Sequence, residues 1–155
     1  MIECAVRLFD PRHAVLDLSL TEKNAVLGHA AELAVSLGAG RDSEHLLAGL
    51  LEREAMAPTI VGKGVAVPHC KSDAVTNSVL LVFRMDAPVL WDSESKEQAD
   101  VVFAIFTNSE STDHLAILAK LAGNLMHDDF LQKIRTATTS LNMFEIVNAV
   151  ISGED

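Results

Sequence analysis

Two runs near the middle of the chain, Ser78 to Met85 and Ala99 to Thr107, constrain the fold most. Both are rich in Val, Leu, Ile and Phe and lack glycine and proline, the composition of strands rather than helices. Their apolar residues follow one another with almost no alternation, so both faces of these strands have to be covered. The flanking segments supply the cover. Ser19 or Thr21 caps a first helix, Ser19 with Glu22 has the capping-box spacing, Val26, Ala30, Leu33 and Leu37 recur at helical intervals, and Gly38 stops the helix. A second helix starts at Asp42 or Ser43, buries Leu46, Leu47, Leu50 and Leu51, and ends before Pro58. A third over roughly 112–127 sets Leu115, Leu118, Ala119, Ala122, Leu125 and Met126 at core spacing, and two more cover about 128–136 and 140–151. Helices at both ends with strands between them predict a three-layer α/β domain.

The remaining stretches carry weaker signals. Ala5–Phe9 and Ala14–Leu18 are short apolar runs around Asp10-Pro11-Arg12-His13, read as a loop with one short strand. Residues 86–98 are polar and read as a turn or a short edge strand around Val89 to Trp91. With 155 residues the chain is expected to form one domain over 1–155, burying about 70% of its unfolded surface.

Charge and cysteine usage exclude several functions. A formal charge of −10 argues against nucleic acid or an anionic membrane as partner. Cys4 and Cys70 are too few for a disulfide scaffold, and nothing resembles a secretory signal. The longest apolar run, Val101–Phe106, is far short of the ~20 residues of a membrane helix. A soluble, cytoplasmic protein without membrane insertion is expected.

The chemistry centres on residues 58–71, Pro-Thr-Ile-Val-Gly-Lys-Gly-Val-Ala-Val-Pro-His-Cys-Lys. Val65–Val67 fits a buried strand, and Gly62 and Gly64 permit a tight turn before it. Pro68 is expected to end the ladder, so that His69 emerges at the carboxyl end of a strand, where open α/β sheets place their chemistry. His114, in the first turn of the third helix, is expected at the same sheet edge. There the helix N-terminus would suit a phosphate or another anion. The competing reading is a histidine that only starts its helix. Arg53 closes the second helix, either reaching the His69 pocket or lying solvated beside Glu22, Glu52 or Glu54. His13, His29, His45 and His127 read as surface residues.

Three other sites fit poorly. Zinc held by His69, Cys70 and His114 lacks paired ligand spacing, and neighbours in an extended segment point to opposite sides. A Cys70 nucleophile lacks a third orienting residue and an oxyanion loop. The Gly62-Lys63-Gly64 turn lacks the Walker spacing and the helix that should follow.

Three motifs in order carry a resemblance: Leu-Leu-Glu-Arg-Glu at 50–54, Gly-Lys-Gly-Val-Ala-Val-Pro-His at 62–69, and Asp-His-Leu at 113–115. From about Leu16 to Val150 the chain resembles the IIA component of the bacterial phosphoenolpyruvate-dependent sugar phosphotransferase system, fructose–mannitol class. The resemblance implies a mixed β-sheet flanked by helices on both faces. It implies a phosphocarrier that takes a phosphoryl group from the small protein HPr and passes it to a IIB domain of a sugar transporter. His69 would carry that group on Nε2, and Arg53 and His114 would stabilise it, with no cofactor and no metal. A nitrogen-type regulatory IIA protein, whose phosphorylation state controls other proteins, is the alternative within the family. Residues 68–130 look most like fructose-type relatives, while Pro-His-Cys also suits galactitol-type ones. Many relatives have Ser-Thr-Gly where this chain has Pro58-Thr59-Ile60, and glycine or alanine where it has Cys70.

Overall fold

The computed structural model describes residues 8–112 and 115–152. A short 3-10 turn, Pro11–His13, opens into β1 (Ala14–Leu18), which is followed by α1 (Lys23–Ser36) and α2 (Ser43–Met56). Three short strands come next: β2 (Ile60–Gly62), β3 (Val65–Ala66) and β4 (His69–Lys71). The two long strands are β5 (Val79–Asp92) and β6 (Glu97–Thr107), and the chain closes with α3 (Leu115–Ala122), α4 (Asp128–Thr136) and α5 (Ser140–Ile151). The sheet has the order β1-β5-β6-β3-β2, with β4 also joined to β6. It is mixed: β1 runs parallel to β5, and β3 and β4 parallel to β6, while β5–β6 and β2–β3 are antiparallel.

The apolar runs explain the layering. Leu81 and Phe83 of β5, with Val102, Ala104 and Phe106 of β6, pack against Val26, Leu27, Ala30, Ala34, Leu46 and Leu50 of α1 and α2. Their neighbours Leu80, Val82, Val101 and Phe103 face the other way, onto Leu121, Phe130, Leu131, Ile134, Met143 and Val147 of α3 to α5. Successive strand residues thus fill two cores, one on each face. The expected three-layer α/β architecture with a mixed sheet is what the chain forms.

Several local expectations change. Residues 86–92 continue β5, so the strand alternative around Val89 to Trp91 is the one that forms, longer than expected and paired with β6 as far as Asp92↔Glu97. The register slips between Arg84 and Val89, which lets Pro88 sit in a bulge where its missing N–H breaks no ladder bond. Helix α1 begins only at Lys23, on Glu22 in an extended conformation with no side-chain cap bond, so the Ser19–Glu22 capping box does not form. The third helix is shorter than 112–127. It ends at Ala122, where the Asn124 side chain donates to the Lys120 carbonyl at 2.9 Å and helps turn the chain. In α2, Leu46 and Leu50 are buried but Leu51 is 37% exposed.

Pro68 interrupts its strand without ending it. Val65↔Val101, Ala66↔Val102 and His69↔Ile105 share one offset, so β3 and β4 are two parts of a single strand along β6. Proline cannot donate to the ladder, but its carbonyl still accepts the Ile105 N–H at 3.0 Å. Upstream, Gly62 pairs with Val65 across a two-residue turn in which Lys63 has φ 55° and Gly64 φ 79°. Positive φ at both positions is the geometry that matches the twist of a hairpin. A Cβ at Gly64 would lie 2.6 Å from Asp100 Oδ1 and 2.9 Å from Arg135 Nη2, so this turn needs glycine twice over.

Candidate functional site

His69 opens β4, half-buried, at the end of the sheet where β4 pairs only with β6 among the described residues. The last turn of α2 packs beside it. Arg53 Nε donates to His69 Nε2 at 3.2 Å, and Arg53 Nη1 donates to the Ala57 carbonyl at 2.8 Å, which holds the guanidinium at the helix end. On the other side of the ring, His69 Nδ1 lies 2.9 Å from the Val67 carbonyl. A carbonyl only accepts and a guanidinium only donates. Both bonds therefore select one species: the neutral imidazole with its proton on Nδ1 and its lone pair on Nε2.

The expected contact between Arg53 and the His69 pocket is present. Glu54 does not pair with Arg53; it turns inward, 8% exposed, and meets Lys23 Nζ at 2.9 Å. His114 lies outside the described residues, as does Asp113. Of the described residues on either side of them, Ser111, Leu115 and Leu118 line a cleft of about 230 Å³ together with His69, Ile105 and Thr107. A second cleft of about 420 Å³ opens on the α2 side, between His69 and Gly49, Glu52, Arg53 and Met56. The imidazole stands between the two.

Cys70 points into the α1–α2 core, 3% exposed. Burial pushes its thiol pKa up, and the Glu52 charge adds to this, so the thiolate that a nucleophile requires is disfavoured. Among the described residues no group of three His, Cys, Asp or Glu side chains is placed to hold a metal ion. Of the four histidines read as surface residues, His13 is a correction. It is 1% exposed, because the 3-10 turn directs it under the sheet, with Nδ1 2.9 Å from the Leu80 carbonyl.

Two residues at the site were not singled out by sequence. Lys71 lines both clefts with His69. The alternation of a strand puts positions 69 and 71 on one face, and that rule would have found it. Met56 is 78% exposed at the end of α2 and borders the α2-side cleft. Its spacing, two residues past Glu54 and six past Leu50, sets it off the buried face of that helix, and that signal would have found it.

The fold and the site define an α/β domain that sets one neutral imidazole, its lone pair accepting from an arginine, at a surface cleft. The chain belongs to the family described as "Phosphoenolpyruvate-dependent sugar phosphotransferase system, EIIA 2", whose model matches residues 7–150. It is 32% identical over 130 residues to a PTS system fructose-specific EIIA component of Haloferax volcanii, covering 83% of this chain and 84% of that one. It is 26% identical over 149 residues to a nitrogen regulatory protein of Pseudomonas aeruginosa, covering 96% and 97%. The crystal structure of nitrogen regulatory protein IIA-Ntr from Neisseria meningitidis superposes with a TM-score of 0.82 at 23% identity, covering 90% of this chain and 96% of that one. That superposition establishes a shared fold. Among the described residues no helix is long and apolar enough to cross a membrane.

Proposed function

We infer that the protein is a cytoplasmic phosphocarrier whose His69 accepts a phosphoryl group on Nε2 from an HPr-like phosphoprotein and gives it to a IIB domain. The observation that carries this is the pair of opposed hydrogen bonds on the imidazole. Arg53 and Val67 hold it in the tautomer whose lone pair is on Nε2, beside the arginine that lines the α2-side cleft.

The transfer follows from that geometry. The Nε2 lone pair attacks phosphorus as the bond from phosphorus to the donor's nitrogen breaks, and the electron pair of that bond returns to the donor. Positive charge develops on the His69 ring, and the Nδ1–H that carries it already donates to the Val67 carbonyl. Arg53 Nε gives up Nε2 and meets the phosphoryl oxygens instead, where a guanidinium neutralises charge spread over them. In the onward step the leaving group is the neutral imidazole again, which makes the phosphoryl group easy to pass on. His114, by resemblance, adds a further donor. The donor is a phosphoprotein and the acceptor a protein that becomes one, with a sugar as the final acceptor.

Purified protein should gain one acid-labile phosphate from a phosphorylated HPr-type donor. His69→Ala should gain none, and Cys70→Ala should label as the wild type does. Equal labelling of the His69→Ala variant would sink the reading. A regulatory role is the second reading, favoured by the similarity to a nitrogen regulatory protein over 96% of the chain. It uses the same histidine, and it predicts that labelled protein hands no phosphate to a IIB domain.

A further inference from the structure

Arg53 and Glu54 are consecutive residues at the end of α2, and each is tied to a different nitrogen of His69. The tie from Arg53 is direct, from Nε to Nε2 at 3.2 Å. The one from Glu54 runs through two pieces of backbone. Glu54 Oε1 accepts the Thr59 amide at 3.1 Å, and its Oε2 accepts the Thr59 hydroxyl. The Thr59 carbonyl accepts the Val67 N–H at 3.0 Å, and the Val67 carbonyl accepts the His69 Nδ1–H at 2.9 Å. On the phosphocarrier reading above, we propose that Glu54 is a positioning residue for His69. By fixing Thr59 it fixes the Val67 carbonyl, which keeps the proton on Nδ1 and the lone pair on Nε2.

The setting of Glu54 argues for more than stability. It sits in the last turn of α2, at the negative end of the helix dipole, and it is buried; both disfavour a carboxylate. The chain offsets this with a shared network. Lys23 Nζ lies 2.9 Å from Glu54 Oε1 and donates to the Trp91 carbonyl at 3.1 Å. Trp91 Nε1 donates to Thr59 Oγ1 at 3.3 Å, so the Thr59 hydroxyl accepts from Trp91 and donates to Glu54. Groups from α2 and β5 thereby converge on one threonine, and Lys23 of α1 ties those two groups together. Apolar side chains filling this space would hold the layers together at lower desolvation cost. They would not hold the amide and hydroxyl of residue 59, and hence its carbonyl, at a set distance from the strand that carries the imidazole.

The fixed tautomer also explains why the pair is adjacent in sequence. The tautomer of a histidine is set by the partner of its other nitrogen. With Arg53 and Glu54 on one helical turn, any displacement of the α2 terminus is felt at Nε2 and Nδ1 together.

Nitrogen-15 NMR of the intact, histidine-labelled chain reads the His69 tautomer, and a phosphorylated HPr-type donor reads the rate of phosphoryl acceptance. Glu54→Gln and Thr59→Val should each shift the neutral ring towards the Nε2–H form. Each should also slow acceptance about tenfold, the scale on which outer-shell partners act. Thr59→Ser keeps the hydroxyl and should restore both signals. Leu131→Ala, a core truncation in the opposite layer, should lower stability and leave tautomer and rate alone. If Glu54→Gln does not fold, the Thr59→Val and Thr59→Ser pair decides the matter. An unshifted tautomer in Glu54→Gln and Thr59→Val overturns the proposal, and so does a shifted tautomer with an unchanged rate. Wild-type protein that takes up no phosphate overturns the carrier reading instead, and the tautomer comparison then decides the role of Glu54 alone.

Discussion

His13 is buried with one ring nitrogen on the Leu80 carbonyl and the other, Nε2, 3.7 Å from Asp10 Oδ1 and without a side-chain hydrogen-bond partner among the described residues. Phe9 meets it edge-on at 5.9 Å. Desolvation dominates there and pushes its pKa below the usual 6.5, although the Leu80 carbonyl and Asp10 pull the other way. The unfolded chain takes up a proton near pH 6.5 that the folded chain refuses. Stability is therefore fully present above that pH and falls as the pH drops through the window below it. Asp10, held below the usual carboxylate range chiefly by its bond to the Arg12 side chain, adds a separate loss at lower pH, below about 3.8. Urea unfolding between pH 7 and pH 5 should show stability dropping in the wild type, at no more than about 1.4 kcal/mol per pH unit for one proton. In His13→Gln that part of the slope should vanish. A slope that survives the substitution would place its origin elsewhere. The sequence did not flag His13 because a histidine in an Asp-Pro-Arg-His turn looks solvated, and only the 3-10 turn and the neighbouring β5 put it inside.

Helix α2 and strand β4 meet where Gly49 faces Cys70. A Cβ on Gly49 would lie 2.5 Å from Cys70 Sγ. Alanine is worth up to ~1 kcal/mol over glycine in a helix, but overpacking a filled core costs about 1–3 kcal/mol. Gly49→Ala should therefore destabilise the protein on balance. Adding Cys70→Ala removes the sulfur and should recover most of the loss, giving a coupling energy in a double-mutant cycle of thermal unfolding. Additive losses would mean that the two residues do not compete for this space. Cys70, which departs from many relatives, is accommodated because α2 has no side chain opposite it. Elements of this kind were legible to different degrees. The long apolar strands and the second, fourth and fifth helices could be read from composition, caps and period. Motif order also suggested that Arg53 would reach the His69 pocket, and the structure sets Arg53 Nε 3.2 Å from His69 Nε2. What could not be read depends on contacts far apart in sequence: the β5 bulge around Pro88, the continuation of β3 into β4 past Pro68, and the inward turn of Glu54 onto Thr59. A periodic pattern says which face is buried but not which buried polar groups will find one another.

At the scale of the whole molecule, an acidic chain of net charge −10 sets Arg53 and Lys71 beside the His69 imidazole. The two clefts around that imidazole are bordered by large apolar side chains left in solvent. Met56 is 78% exposed on the α2 side, and Leu115 is 60% exposed on the α3 side. On the carrier reading, the reacting nitrogen of a second protein has to come within bonding distance of the phosphorus on His69. A protein surface brought that close covers Met56 and Leu115 as well. Met56 makes no hydrogen bond to His69, Arg53 or Glu54, so it can be altered without disturbing the ring. Met56→Glu should leave stability within about 0.5 kcal/mol of the wild type, as surface changes generally do, and should leave the His69 tautomer unchanged. Burying a new carboxylate against a partner should nevertheless cost about 2 kcal/mol or more, close to a thirtyfold loss in kcat/KM for phosphoryl acceptance. Because donor and acceptor must approach the same nitrogen, the onward transfer to a IIB domain should suffer a loss of similar size. An effect on one transfer with none on the other would mean that the two partners reach His69 over different rims, Met56 bordering one approach and Leu115 the other.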